Sequence, residues 1–315
     1  MADAATPVPA PADQAAAGPA PGGTGPRRWR RTRTYAALAP FFAFVGIFLL
    51  LPTLIVALGA FQDADGNLTL ANVEAVTGTP ARIDAFVRSL ELSIVTAIAG
   101  AILGALLAWA IAGSKPDSII RQLTISLSGV LAQFGGVMLA FAFVATFGIE
   151  GIFTYALKGV FGAALDPSIA RGDWLYSLAG LSFVYTYFQI PLMLIVFLPA
   201  IDGLRREWWD ASTSLGGGSW AYWRHVGGPI LAPSFLGAVL LLFTNAFSAY
   251  ATAAALVSQG SPIITLQIRN ALTSEVVLGQ ENVGKAMALG MIVVVALVMS
   301  LYALIQRRAS RWSAR

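Results

Sequence analysis

Residues 38–58 read LAPFFAFVGIFLLLPTLIVAL, a run that contains no charged side chain. A helix needs about 20 apolar residues to cross a hydrocarbon core about 30 Å thick, so this run predicts a transmembrane helix. The apolar core of a signal peptide is only about 7–15 residues long, so the run is predicted to stay in the protein. Composition supports this, because 57% of the 315 residues are hydrophobic and only 11% are charged.

Five further apolar runs are long enough to span a bilayer. They cover about residues 88–112, 121–147, 175–200, 231–257 and 286–305. The predicted fold class is therefore all-α, a polytopic membrane protein with six transmembrane helices. Residues 1–34, rich in Ala, Pro and Gly and ending in a basic cluster, are predicted to be a disordered tail. Residues 35–310 are predicted to form the transmembrane domain, and residues 311–315 a short basic tail.

The basic residues indicate the orientation. Six spans place both termini on one side, and 14 of the 20 Lys and Arg residues fall on that side. The other six are Arg82, Arg88, Lys158, Arg171, Arg269 and Lys285. Cytoplasmic loops carry the excess of basic residues, so the sequence predicts a plasma (inner) membrane protein with both termini cytoplasmic. The net charge of +4 then reflects topology among membrane lipids, and no nucleic-acid partner is expected.

Residue types that carry catalysis or bind metals are scarce. The chain has no cysteine and one histidine, His225, so disulfides, thiolate zinc sites and thiol nucleophiles are excluded and no metal site is predicted. Residues 279–286, GQENVGKA, match the phosphate-binding pattern G-x-x-x-x-G-K but end in Ala, where Mg²⁺ binding needs Ser or Thr. No nucleotide-binding site is therefore predicted at this segment. No Asp or Glu falls near a predicted bilayer centre, which argues against a proton-coupled carrier.

The cytoplasmic segment 201–232 is longer than a helix hairpin needs. Its amphipathic residues 205–212, RREWWDAS, come before Leu215 and three glycines, Gly216 to Gly218. Glycine permits a backbone reversal, which would end one short helix before another begins at Trp220. Such a helix suits docking into a groove of a partner. It suits equally well a position on the lipid headgroups.

The spacing within this loop resembles a family signature. Asp210-Ala211-Ser212, three residues, Gly216, nine residues and Val226-Gly227-Gly228-Pro229 are similar to the pattern of the permeases of binding-protein-dependent ABC importers. That pattern is Glu-Ala-Ala, three, Gly, nine, Ile-x-Leu-Pro, so the chain has Asp for Glu, Ser for Ala, Val for Ile and Gly for Leu. The resemblance covers roughly residues 35–310 and implies a type I ABC importer permease fold. It implies that Asp210, Ala211, Ser212, Leu215 and Gly216 form the coupling to the ATPase subunit.

Polar side chains in the predicted spans are candidates for lining a translocation path, because such groups tend to face an aqueous cavity or a bundle interior. Tyr185 and Gln189 share a face of the fourth helix, and Gln133 lies in the third. Asn245, Ser248 and Thr252 form an i, i+3, i+7 stripe on the fifth. Each of these side chains suits equally well a structural role, in which it forms a hydrogen bond between helices. The pattern Gly100-x-x-x-Gly104 favours close helix packing.

The resemblance implies a permease subunit of an ATP-driven ABC importer, which is not an enzyme and binds no cofactor itself. The implied partners are two ATP-binding subunits, which hold ATP and Mg, and a second homologous permease or a second copy of this chain. An extracytoplasmic substrate-binding protein would deliver the solute. The alternative from another class is a stand-alone secondary transporter or channel whose loop lies on the membrane.

Weaker features indicate the substrate class. Leu215-Gly216-Gly217 and the segments 86–93 and 187–192 resemble the polyamine, aminophosphonate and ferric-iron branch more than the sugar permeases. The extracellular side carries more acidic than basic residues, which favours a cation. Its acidic residues are Asp63, Asp65, Glu74, Asp84, Glu91, Glu150, Asp166, Asp173, Glu275 and Glu281. We therefore expect a polyamine-like solute, with aminophosphonate, ferric iron or sugar as alternatives.

Overall fold

The computed structural model describes residues 38–115, 117–161, 169, 171–257, 262–273 and 280–313, without the side chains of 161 and 305–313. The predicted tail 1–34 lies outside these residues. The chain divides into two compact units, Met1–Leu54 and Ile55–Arg315. The described part of the first unit, residues 38–54, is helical and includes a π-helical turn at Gly46–Leu50.

The described residues of the second unit are mostly helical, with an isolated β-bridge between Gln62 and Leu68. Helix α1 (Leu38–Gly59) begins in the first unit. The following helices are α2 (Ala71–Thr77), α3 (Pro80–Ala112), α4 (Ile119–Gln133), α5 (Gly136–Phe147), α6 (Ile152–Phe161), α7 (Leu178–Asp202), α8 (Arg206–Ser214), α9 (Ser219–Ser248), α10 (Ala251–Leu256), α11 (Ile264–Thr273) and α12 (Glu281–Ser313).

Six segments of the described chain are long and apolar enough to cross a membrane. They are Leu38–Gly59, Pro80–Ala112, Gly136–Val160, Leu178–Asp202, Ser219–Ser248 and Glu281–Leu304. The prediction of an all-α, multi-pass membrane protein with six transmembrane helices is confirmed. The third and fifth segments differ from the sequence prediction, because each predicted helix is interrupted.

The predicted third span, residues 121–147, is wrong as a single helix. α4 ends at Gln133, and the backbone leaves helical geometry at Phe134 (φ −80°, ψ 76°) and Gly135 (φ −127°, ψ −169°). Gly136 has φ +68°, a left-handed conformation that glycine adopts at little cost. The Gly-Gly pair thus places the break. The apolar segment that replaces the predicted span, Gly136–Val160, consists of α5, a turn and most of α6.

The predicted fifth span, residues 231–257, also breaks. α9 ends at Ser248 because Ala249 is extended (φ −68°, ψ 114°), and the short helix α10 follows. The predicted stripe is therefore wrong as a feature of one helix, since Asn245 and Ser248 lie on α9 and Thr252 lies on α10. At its other end α9 begins at Ser219 and contains a π-helical turn at Trp223–Gly227.

Close packing of α3 against α7 forms the centre of the second unit. A Cβ atom added at Gly100 would lie 2.6 Å from Cβ of Gln189, and one added at Gly104 would lie 2.5 Å from Cβ of Met193. Both distances are shorter than real side-chain contacts, so both positions require glycine. The predicted G-x-x-x-G packing is confirmed. α9 packs against both helices, because its buried Leu242 belongs to an apolar cluster that also contains Ala101 of α3 and Met193 of α7.

Candidate functional site

The segment that carries the family signature folds as a short helix followed by a tight turn. The Arg205 Nε donates to Glu207 Oε2 at 2.9 Å, and an acidic residue in the first turn is favoured by the helix dipole. At the other end of α8, Gly216 N donates to Thr213 O and Gly217 N to Ser212 O, both at 2.9 Å. With Gly216 at φ +82°, these two bonds form a Schellman motif. The glycines therefore end the helix as the sequence predicts.

This turn is exposed. No residue of α8 is buried, Leu215 is 90% exposed and Trp220 is 76% exposed. An edge-to-face contact joins α8 to α9, with the ring centroids of Trp209 and Tyr222 5.0 Å apart. Asp210 and Ala211 are exposed and Ser212 is half-buried. The turn thus presents an apolar tip beside small side chains, which allow another surface to approach closely.

The two interrupted helices meet at a cavity of about 240 Å³. The break between α4 and α5 contacts the break between α9 and α10, since a Cβ added at Gly136 would lie 3.4 Å from Cβ of Ala251. The lining residues are Ala132, Gly135, Gly136, Phe188, Asn245, Ala249, Tyr250, Ala251 and Thr252. Asn245 is exposed and offers an amide donor and acceptor to the cavity. Discontinuous helices that meet in a membrane protein are a common place for a solute site.

Two of the predicted path residues hold these breaks in place. The hydroxyl of Tyr185 on α7, a fully buried side chain, donates to the carbonyl oxygen of Ala249 at 2.8 Å. Thr252 is 2% exposed, and its Oγ1 donates to the carbonyl oxygen of Gly136 at 3.1 Å. Both side chains therefore make bonds between helices.

The other four predicted path residues lie apart from those bonds. Gln189 is fully buried and its Nε2 donates to Thr96 Oγ1 at 2.9 Å, which joins α7 to α3, while its Oε1 lacks a hydrogen-bond partner. Gln133 is exposed on the last turn of α4 beside the break. Ser248 is exposed, and its Oγ donates within α9 to Thr244 O at 2.8 Å. Asn245 and Thr252 are thus the predicted path residues that line the cavity.

Sequence reasoning missed an ion pair between distant parts of the chain. Arg121, near the start of α4, has a side chain that is 11% exposed and pairs with Asp202, the last residue of α7. Nη1 of Arg121 also lies 3.4 Å from the carbonyl oxygens of Ile111 and Ser114, at the end of α3. The partners are 81 positions apart in the chain, and the sequence carries no local signal that joins them.

The phosphate-binding pattern at 279–286 is partly described, and its described residues begin α12. Nζ of Lys285 donates to Asn282 Oδ1 at 2.8 Å, and Nδ2 of Asn282 donates to Gln62 O at 2.8 Å. These contacts tie the start of α12 to the turn after α1. The lysine thus donates to a neighbour on its own helix in this structure.

Comparison with known proteins bears on the fold. The chain matches no protein-family model. A Sinorhizobium fredii protein named "Probable ABC transporter permease protein" is 30% identical over 118 residues, which is 38% of this chain and spans only 20% of that relative's length. A chain of a bacterial ABC transporter that imports the acidic polysaccharide alginate superimposes with a TM-score of 0.68 at 17% identity, covering 90% of this chain and 99% of that one. The chain has the fold of an ABC importer permease.

Two further structures share this permease fold. The alginate ABC transporter in complex with an alginate pentasaccharide-bound periplasmic protein gives a TM-score of 0.68 at 17% identity, over 89% of this chain and 96% of that one. A chain of the MetNI methionine ABC transporter in an inward-facing conformation gives 0.50 at 13% identity, over 72% and 95%. The fold that the loop signature implies is thereby confirmed.

Proposed function

We propose that this chain is the permease subunit of an ATP-driven ABC importer. The observation that carries the proposal is the importer permease fold over nine-tenths of the chain, combined with an exposed helix and turn at the residues of the loop signature. In this role the chain does no covalent chemistry. Two partner subunits bind ATP and Mg and hydrolyse the ATP.

In the proposed complex, α8 and its turn form the coupling element. Leu215, 90% exposed in the isolated chain, enters the cleft of the ATP-binding subunit, and burying such a side chain contributes about 1.5–3 kcal/mol. Ala211, Ser212 and Gly216 permit close approach, and Asp210 supplies a carboxylate at the rim. ATP binding favours one of two access states, and this contact transmits the preference to the membrane helices.

The proposed path runs past the cavity where the two helix breaks meet. Asn245, Ser248 and Gln133 are exposed there or beside it, and they face the solute. Tyr185, Thr252 and Gln189 shape the path through their bonds between helices. α4 continues the polar surface, because the exposed residues Gln122, Ser126, Gly129 and Gln133 recur at helical spacing on one face. Polar faces in a membrane protein turn towards water or protein. In the proposed complex the polar face of α4 is therefore covered by a second permease, which is either a homologous chain or a second copy of this one.

The proposed orientation places both termini and α8 in the cytoplasm, supported by the basic residues counted above. An extracytoplasmic receptor then delivers solute to the opposite side, where acidic residues outnumber basic ones. A polyamine-like cation is the proposed solute. Aminophosphonate, ferric iron and sugar remain the alternatives. The compared transporters handle alginate and methionine, but at 17% identity or less they support the fold alone and do not decide the solute of this chain.

Co-purification tests the proposed subunit role. The tagged chain is extracted in mild detergent, and an ATP-binding subunit is sought in the eluate by mass spectrometry. We expect recovery with the parent chain and loss in Leu215→Asp, because a carboxylate at the tip cannot enter an apolar cleft cheaply. Leu68→Asp is the matched control, since Leu68 is 83% exposed in the turn after α1. Absence of an ATP-binding subunit, with transport that persists under ATP depletion, would establish the secondary transporter or channel instead.

Uptake measurements test the proposed solute. Proteoliposomes that hold the complex and its receptor are offered radiolabelled putrescine, with 2-aminoethylphosphonate, ferric ion and maltose as unlabelled competitors. We expect ATP-dependent putrescine uptake that only other polyamines reduce. Uptake that one of the three competitors abolishes would reassign the substrate class and leave the importer role in place.

A further inference from the structure

The Arg121–Asp202 ion pair lies where α3 and α7 end and α4 begins. Arg121 near the start of α4 reaches the last residue of α7 and the carbonyl oxygens of Ile111 and Ser114 at the end of α3. Asp202 is followed by three residues and then by α8, the proposed coupling helix. The pair therefore joins the membrane helices α4 and α7 four residues before α8 begins.

Both helices joined by this pair lead to the cavity at the helix breaks. Ala132, eleven residues after Arg121 on α4, and Phe188, fourteen residues before Asp202 on α7, both line it. At 1.5 Å per residue these lengths are about 16 Å and about 21 Å. Between the two ends α4 packs along α7, where Ile125 contacts the apolar cluster that includes Leu198. A displacement of the pair can thus be transmitted through the packed helices α4 and α7 to the residues of both helices that line the cavity.

We propose that the Arg121–Asp202 pair is a clasp that makes α4 and α7 move as one body when α8 is displaced. The proposal rests on the proposed importer function and adds a positioning pair to it. Asp202 can be pulled directly by α8, and Arg121 passes the displacement to α4. The competing account is that Arg121 only caps the carbonyl oxygens at the end of α3. In that account Asp202 is dispensable, because the caps at Ile111 and Ser114 do not involve it.

A cysteine reporter at the cavity separates the two accounts. The chain has no natural cysteine, so Asn245→Cys supplies a single thiol. The complex with its ATP-binding subunits is placed in nanodiscs. Its labelling rate with the trimethylammonium-ethyl methanethiosulfonate reagent is then measured without nucleotide and after trapping with ATP and vanadate. We expect the two rates to differ by at least about fivefold in the parent, which is the lower end of allosteric coupling between sites.

The variants change only the Asp202 side of the pair. Asp202→Asn keeps the size of the side chain and leaves the Arg121 caps in place, and we expect it to bring the rate ratio close to one. Asp202→Glu keeps the carboxylate and is expected to retain a ratio near that of the parent. Asp173→Asn removes the carboxylate of the exposed Arg171–Asp173 pair and is the matched control, with an unchanged ratio. Size-exclusion profiles verify that each variant is folded and assembled.

Each outcome decides between the accounts. An Asp202→Asn chain that keeps the parent ratio overturns the clasp and leaves Arg121 as a helix cap. Equal loss in Asp202→Asn and Asp202→Glu also overturns it, because a retained carboxylate would then fail to preserve the response to ATP. If the labelling rate of the parent complex is the same with and without trapped ATP, the proposed importer function is refuted. The proposed clasp is then refuted as well, because it rests on that function.

Discussion

Gly216 offers the sharpest test of the proposed coupling turn, because its backbone and its surroundings make separate predictions. Its φ of +82° lies in the left-handed region, which costs an ordinary L-residue about 1–2 kcal/mol and a β-branched residue more. A Cβ atom added there meets nothing within 4 Å in this chain. A larger residue at 216 would be expected both to strain the turn and to crowd a docked partner. In the isolated chain the structure supports only the backbone strain.

Gly218 is the matched control. Its φ of −82° and ψ of −179° are extended, and a Cβ added there also meets nothing within 4 Å. The two glycines therefore differ in backbone conformation while both side-chain positions are open. Gly218→Val should leave the turn intact. Gly216→Val should disfavour the Schellman bonds from Gly216 and Gly217 and fray the end of α8, with Gly216→Asn in between because Asn tolerates the left-handed region.

The expected effect follows from the strain. If the helix-ending turn is the form that docks, a strain of 1–2 kcal/mol lowers the affinity for the ATP-binding subunit by a factor of about 5–30. Titration of the chain in nanodiscs with the purified ATP-binding subunit of the proposed complex measures this. Membrane insertion and abundance should match the parent, since no residue of α8 is buried. Equal affinities for Gly216→Val and Gly218→Val would refute the reasoning, as would ATP-coupled transport at the parental rate in Gly216→Val.

Three other predictions concern the membrane helices. Gly104→Ala should destabilise the protein by about 1–3 kcal/mol through overpacking against Met193, whereas Gly129→Ala, with nothing within 4 Å, should not; equal melting temperatures in a fluorescence-detected size-exclusion assay would contradict this. Tyr185→Phe should cost about 0.6 kcal/mol and at most about 1.7 kcal/mol, the range for hydrogen bonds between membrane helices, and an unchanged melting temperature would mean that the break at Ala249 holds without it. Single cysteines at Asn245 and Ser248 should react with a small water-soluble thiol reagent, whereas those at Thr252 and Leu242, 2% and 0% exposed, should not; equal labelling of all four would indicate loose packing.

The parts of the fold that sequence predicts well are those set by local chemistry. Six apolar stretches are visible because the bilayer requires each of them to be long and uncharged. The end of α8 is visible because a left-handed residue almost requires glycine, and Gly216 supplies it. The close approach of α3 and α7 follows similarly from Gly100 and Gly104, whose missing side chains leave room for the neighbouring helix.

What sequence could not place depends on contacts between distant segments. The break after Ser248 lies in Ala246–Thr252, which contains neither Gly nor Pro, so no local propensity marks it. It is held from outside, by the Tyr185 hydroxyl on α7. The break at Gly135-Gly136 is marked in the sequence by the two glycines. It was missed because the span 121–147 was predicted from a continuous run of apolar residues. From the sequence, Arg121 could be predicted only as a basic loop residue, because its partner Asp202 is 81 positions away.

These contacts also indicate where the chain can change shape. At Gly104 an added Cβ would lie 2.7 Å from the backbone oxygen of Ile190, so α3 and α7 interlock and sliding one past the other would create overlaps across the whole interface. The breaks at Gly136 and Ala249 are each tied by one side-chain hydrogen bond, from Thr252 and Tyr185, and such a bond in a membrane contributes only about 0.6 kcal/mol. Two access states must lie within a few kcal/mol of each other for ATP binding to select between them. Rupture of the two weak hydrogen bonds stays within these few kcal/mol, whereas separation of α3 from α7 does not. We therefore expect the movement to occur at the breaks, with α3 and α7 moving together.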